Sequence, residues 1–482
     1  MAYTAFITRL KNVRPHPNAD RLQMAECFGN TVIVSLEYKD NQLGVYFPSD
    51  GQVSVEFATV NNLVRKKDDA GNNIGGYMDP DKRNITAIKL RGEKSDGLFL
   101  PLSSLETFGD ITTLNEGDRI DNFNGHEICC KYVPRKNVRQ GHVSNGNKTR
   151  KKKVDVAPLF TEHADTEQLA YNLAAFKPGD EIEITLKMHG TSQRTAHLPV
   201  FKGYKRTILD KLFRREGTPI YDWGYVSGTR RTVLENFEGG YYGSNEFREA
   251  HSKFFEGKLW KNETVYYEVV GFTHTSAPIM ASCDNKKLND KEFIKQYGKE
   301  TVFSYGCSSN PICESKIGPD GILYDTRMLE PLSDIYVYRM TMTNEDGDIV
   351  EYTPDFMRYR CEQMGAKTVP VMWKGVIPYT EDDLNSPIPG TRVMLKDGFN
   401  AGEWIKDVAE QYYDGPDPIG KTHVREGVVV RILNRPKFCA YKHKNWSFKA
   451  LEGIVKVEAE TPDMEEADGI DEEVTTNELS QR

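Results

Sequence analysis

The chain has 482 residues, 38% hydrophobic and 28% charged, ample for two or three ordinary globular cores. It shows no run of about 18 apolar residues, and its opening MAYTAFITRLKNVR lacks the apolar core and cleavage site of a secretory signal, so a cytoplasmic protein with no membrane partner is expected. The net charge of −8 is concentrated at one end: residues 458–482 hold ten acids and one Arg, leaving 62 basic and 61 acidic residues in the body.

Eight cysteines, at 27, 129, 130, 283, 307, 313, 361 and 439, form no C-x-x-C pair and no Cys/His cluster of zinc spacing, which predicts reduced, structural thiols.

Residues 1–130 read as β-rich. TAFITRL, TVIVSLE, QLGVYFP, NITAIKL and GLFLPL are short runs separated by Asn, Asp, Gly and Pro, and a small OB-like barrel is their natural closure. Within them, Asn12–Leu22, NVRPHPNADRL, resembles a segment of OB-fold RNA-binding modules, with His16 expected as a hydrogen-bonded turn residue. Residues 131–156 form a basic linker: between 131 and 154 lie nine Lys or Arg and no acid, suited to a polyanionic partner. The run Arg150–Lys153 also fits a nuclear address, but phosphate attraction explains it as well.

Glu181–Ser192, EIEITLKMHGTS, alternates Ile182, Ile184, Leu186 and Met188 with Glu181, Glu183, Thr185 and Lys187, the period-two mark of a strand with one buried face. Lys187 falls on the polar face near the strand's end. Gly190, Thr191 and Ser192 then turn the chain in a small, donor-rich loop suited to a phosphate. An ordinary solvated strand face would show the same alternation.

Farther on, FKGYKRTILDKLFRR and YDWGYVSGTRRTVLENF are basic and aromatic clusters. Arg230 and Arg231 follow a Ser-Gly-Thr turn, where guanidinium forks reach a phosphate or simply face solvent. In Val265–Phe272, VYYEVVGF, Glu268 shares a strand face with Tyr266, Val270 and Phe272 and needs a partner, either a structural Arg or a ligand. Ile335–Met342, IYVYRMTM, predicts a strand with Tyr336, Tyr338, Met340 and Met342 on one face. Helices are predicted at Asp355–Met364 and Glu403–Tyr413, the latter packing through Trp404, Val408 and Tyr412. In Val424–Lys449, GVVVRIL and FCAYKHK predict a hairpin that begins beside Glu426 and sets Lys442 and Lys444 on one face. Two like charges at that spacing repel, so the pair makes sense with a polyphosphate between them; an edge strand in solvent is the alternative.

K-M-H-G at Lys187, Y-E-V-V-G at Glu268, Y-V-Y-R-M at Tyr338, R-E-G-V-V-V at Glu426 and K-H-K-N at Lys442 stand in the order of the covalent nucleotidyltransferase motifs. The chain resembles an ATP-dependent RNA ligase of the type with an N-terminal OB module. The resemblance implies an α+β fold: an OB-like β-barrel followed, over 157–457, by an ATP-grasp-like DNA/RNA ligase domain of antiparallel sheets with flanking helices, then the acidic tail 458–482 as a disordered extension.

It further implies that Lys187 takes AMP from ATP, with Lys442 and Lys444 as its cationic neighbours. Glu268 binds the ribose, Tyr338 stacks on adenine, Arg230 or Arg231 holds a phosphate, and His189 and Gly190 flank the nucleotide. Glu426 helps position Mg2+ or Mn2+. The wider superfamily places an acid where this chain has His189, as some RNA ligases do, which puts a metal-organising role for that position in question. The partner implied is RNA, in the form of a free end, a nicked duplex or an RNA/DNA hybrid. DNA ligases and mRNA-capping guanylyltransferases share the chemistry but usually carry their OB domain after the last lysine motif. A non-catalytic RNA-binding protein built on the N-terminal barrel leaves Lys187, Glu268, Glu426, Lys442 and Lys444 unexplained.

Overall fold

The computed structural model describes residues 3–67, 71, 73–133, 155–163, 166–213, 215, 217–234, 237, 245–274, 278–279, 291, 294–295, 315–317, 319–320, 322–325, 333–378, 399–419 and 424–458. Most of the basic linker, the acidic tail from 459 and the cysteines at 283, 307 and 313 lie outside the described residues. Among the described residues no helix is long and apolar enough to cross a membrane, and Cys27, Cys129, Cys130, Cys361 and Cys439 are free thiols.

The chain divides into two compact units, the first drawn from Met1–Lys136, Cys283–Gln296 and Lys444–Thr461, the second from Asn137–Ser282, Tyr297–His443 and Pro462–Arg482. The N-terminal runs of the first unit are strands as expected, including Ala5–Arg9, Asn30–Ser35, Leu43–Phe47 and Leu98–Pro101. Their closure differs from the expected barrel: among the described residues they form separate sheets of two, three and four strands, with no closed ladder. Hydrogen bonding between strands is non-local, and the runs themselves carry no record of their neighbours. Ala5, Ile7, Val45, Phe47 and Phe57 fill the core, and Ser54 caps the helix Val55–Val60 by accepting from Phe57 N at 3.0 Å. His16 is the turn residue expected, accepting from Asn18 N at 3.1 Å and lying 3.2 Å from Leu90 O. The helix Trp446–Glu458 belongs to this unit through Lys449, whose ammonium is 2.6 Å from Asp96.

The second unit is built on two five-stranded sheets. One, the floor, runs Glu167–Gln168, Ala440–Lys444, Gly427–Ile432, Glu181–Leu186, Val371–Val376. The other, the wall, runs Thr218–Gly228, Thr191–Lys205, Glu263–Gly271, Ser333–Thr343, Ile349–Glu351. Under the floor, Ile182, Ile184, Val428 and Val430 pack on the helix Ala401–Glu410 through Ile405 and Ala409, with Trp404, Val408 and Tyr412 at the margin. Asn400 caps that helix by accepting from Gly402 N and Glu403 N. Behind the wall, Val265, Tyr267, Val269, Ile335 and Val337 pack on the helix Pro354–Met364. Thr353 caps its start and left-handed Gly365, at φ 72°, ends it. Buried Arg360 pins the helix to the wall by a bidentate pair with Glu263 at 2.8 and 2.7 Å.

Candidate nucleotide site

The strand Glu181–Leu186 sits inside the floor sheet, between Gly427–Ile432 and Val371–Val376. Its polar face is not solvated as the alternation suggests: Glu183 is only 3% exposed and pairs with Arg358 at 2.8 Å. The reason is the second sheet. Glu183, Thr185 and Lys187 line a cleft that also meets Glu268, Tyr338, Arg230 and Val429.

Lys187 lies just past the strand's end, where its N–H donates to Gly427 O at 3.0 Å. Gly427 has φ 146°, open to glycine, and so the chain turns Glu426 toward the lysine. The Lys187 ammonium is 2.7 Å from Glu426 Oε1, and His189 Nδ1 is 3.3 Å from Oε2 of the same buried carboxylate. Gly190 is required by close approach: a Cβ there would stand 2.3 Å from Val269 O. The next two residues enter the wall sheet and are clamped by buried Arg248, which donates to Ser192 O at 3.1 Å and to Thr191 Oγ1 at 2.6 Å. Ser192 faces Glu268 across the strands, and its hydroxyl is hydrogen-bonded to that of Tyr338 at 2.8 Å.

The strand Ser333–Thr343 departs from the expected single face. Val337 pairs with Tyr267 and Arg339 with Tyr266, so Tyr338 is an extra residue, a β-bulge. Tyr336 and Tyr338 therefore pack on the cleft side with Leu186, Met188 and Val270, while Met340 and Met342 turn to the core behind the wall.

Arg230 lines the cleft and Arg231 is exposed. Their turn is held by Thr229, whose N–H donates to Thr232 O at 2.9 Å and whose O accepts from buried Arg194 at 2.9 Å. Burial lowers the Arg194 guanidinium to about 10. On the strand Ala440–Lys444, Tyr441 packs into the floor core and His443 stacks on Tyr413, leaving Ala440, which lines the cleft, with Lys442 and Lys444 on the other face. Lys444 is 2.9 Å from Glu452.

Several cleft residues carry no signal in the sequence. His163, in the unpatterned stretch TEHAD, packs against Tyr338 at 5.6 Å and accepts from Arg339 Nη1 at Nδ1, 2.9 Å away. Arg339 in turn pairs with Glu351, and Arg431 stands 3.6 Å from that carboxylate. Arg358 and Arg431 both line the cleft near Glu183.

Among the described residues no three acidic, His or Cys side chains gather into a metal cage. The Glu426 carboxylate is nevertheless the kind of oxygen donor a hard divalent cation uses when substrate phosphates complete its shell, whereas the His189 imidazole beside it is not.

No family model and no curated protein matches the chain. Solved structures of Naegleria gruberi RNA ligase do match its fold. The form with pyrophosphate aligns at a TM-score of 0.51 and 16% identity, covering 95% of this chain and 99% of that one. A variant with ATP and manganese aligns at 0.50 and 16% identity, over 92% and 98%. An unliganded variant aligns at 0.50 and 17%, over 92% and 97%. The fold is therefore RNA ligase-like, mostly sheet with few helices.

Proposed function

We propose that the protein is an ATP-dependent RNA ligase that joins 3′-hydroxyl and 5′-phosphate ends through a lysyl-AMP at Lys187, in RNA repair or nick sealing. The observation that carries this reading is the Lys187–Glu426 contact of 2.7 Å in a cleft that also presents Glu268 and Tyr338. The RNA ligase-like fold supports it, as do the ATP and manganese bound to a structural neighbour.

Lys187 Nζ, once deprotonated, attacks the α-phosphorus of ATP; the N–P bond forms and the bridging P–O bond breaks, releasing pyrophosphate. Glu426 is within reach to accept the ammonium proton. A 5′-phosphate oxygen of RNA then attacks the same phosphorus and frees Lys187, and a 3′-hydroxyl displaces AMP from the adenylylated end to close the phosphodiester. Arg230, Lys442 and Lys444 are assigned to the phosphates, Glu268 to the ribose and Tyr338 to the base. Glu426 would hold Mg2+ or Mn2+, which would supply charge neutralisation at the triphosphate, with His189 beside the nucleotide.

We read the N-terminal unit as an RNA grip of OB type, a fold whose barrel is often partly open. The free thiols fit a reducing compartment, and we place the protein in the cytoplasm. Incubation with α-labelled ATP and a divalent metal, followed by denaturing electrophoresis, tests the assignment. A labelled band is expected; label from GTP alone would move the protein to the capping class, and none from either nucleotide would leave only RNA binding.

A further inference from the structure

The strands Thr191–Lys205 and Thr218–Gly228 stay paired from Arg194 and Gly228 out to Lys205 and Thr218, whereas Glu263–Gly271 accompanies the first only from Thr191 to Ala196. The outer part is a two-stranded ribbon. One face of it is covered: Leu198, Val200 and Val226 pack with Ala157 and Phe160. The other carries three successive cross-strand pairs, His197 with Tyr225, Pro199 with Trp223 and Phe201 with Tyr221.

His197 stacks on Tyr225 with ring centres 4.6 Å apart and meets Trp223 edge-on at 5.7 Å. Such contacts stabilise an isolated ribbon, which is marginal in water without them. They do not call for the rest: Trp223 keeps 36% of its surface open, with the Lys261 ammonium 4.7 Å over its ring. Residues 197–206 and 218–225 also bear exposed Lys202, Lys205 and Arg206 against one acid, Asp222.

His197, 3.1 Å from Leu259 O, and Tyr225, whose hydroxyl accepts from Gly257 N, are held by the body of the unit, but the half-open Trp223 ring among cations matches a nucleic-acid strand, with a base on the ring and phosphates beside the lysines. The spacing favours single strands. The outer two pairs, Pro199 with Trp223 and Phe201 with Tyr221, stand about 6.7 Å apart along the ribbon, about twice the 3.4 Å step of a strand stacked in a duplex, so they accommodate splayed bases. The same long strand passes Ser192, opposite cleft-lining Glu268, and reaches Pro199, opposite Trp223, roughly 23 Å farther on.

We propose that this ribbon face is a stacking platform for single-stranded RNA leading to the ligation site, with Trp223 the principal stacking residue and Lys261 beside it for the phosphates. The proposal rests on the ligase reading above. The test uses the full chain, a fluorescent 5′-phosphorylated single-stranded RNA dodecamer read by anisotropy, and ATP labelling of the same preparations. Trp223→Ala should weaken RNA binding about tenfold, Trp223→Phe should recover most of it, and both should label as the parent does. Unchanged affinity in Trp223→Ala would overturn the platform and leave the face to a protein partner. A loss that Trp223→Phe fails to restore would overturn it too, as a defect of the ribbon. A parent chain that labels with ATP but does not bind the dodecamer would sink the platform and spare the nucleotide chemistry; one that binds but does not label would sink the ligase reading alone.

Discussion

The Lys187 ammonium and the Glu426 carboxylate meet at 2.7 Å, brought together by the bond from Lys187 N to Gly427 O at the edge of the same pair of strands. If Glu426 manages the lysine's proton and the nucleotide's charge, Glu426→Gln keeps its shape and loses its function. The rate of lysyl-AMP formation should fall by about 100-fold or more. A change smaller than about tenfold would make the pair a structural contact.

Arg230 and Arg231 are adjacent in the chain, but only Arg230 lines the cleft. Arg230→Ala should therefore raise the ATP concentration needed for labelling, and Arg231→Ala should leave it where it is. Equal effects in a titration of labelling against ATP would contradict this division.

Gly190→Ala places a methyl group 2.3 Å from Val269 O and 2.9 Å from Glu268 Cγ. Neither the backbone carbonyl nor the strand that carries it can retreat cheaply, so the loop after Lys187 must move. The expected outcome is a loss of about 1–3 kcal/mol in urea unfolding, with labelling reduced far more than the remaining folded fraction explains. Parent-like labelling would show that the loop's path is not critical.

His251, on the helix that supplies Arg248, is almost wholly buried against Ser333 and its pKa is pushed down to about 4 by burial, with His274 adding to the shift and Asp320 opposing it. The unfolded imidazole takes up its proton near its ordinary value, the folded one only near 4. Stability from this group is thus complete above the unfolded pKa and is lost as pH falls toward 4, by roughly 3 kcal/mol. Urea unfolding at pH 7.5 and 4.5 should show that loss in the parent, and His251→Gln should remove most of it. An identical pH dependence in the variant would refute the assignment.

What the sequence made legible follows the reach of its signals. Period two located the strand before Lys187, and β-forming composition those around Glu268 and Glu426, because both signals are local. It misplaced the environment of Glu183, since the partner, Arg358, lies on a helix 175 residues away. It also put Met340 and Met342 beside the tyrosines, because counting by twos cannot register the extra residue at Tyr338. Which of Arg230 and Arg231 lines the cleft depends on a turn that Arg194 holds from another strand, out of reach of local pattern. His163 had no pattern to reveal it; only folding brings it against Tyr338. The N-terminal runs were visible as strands, while the sheets they join depend on distant pairings.

The most direct test of the central claim is the intact mass of the protein after incubation with ATP and Mg2+ or Mn2+, followed by peptide mapping of the adduct. One AMP on Lys187 is predicted, absent from Lys187→Ala, because no other side chain of K-M-H-G can form the phosphoramidate. Adduct on the Lys187→Ala chain, or none on the parent, would contradict the account.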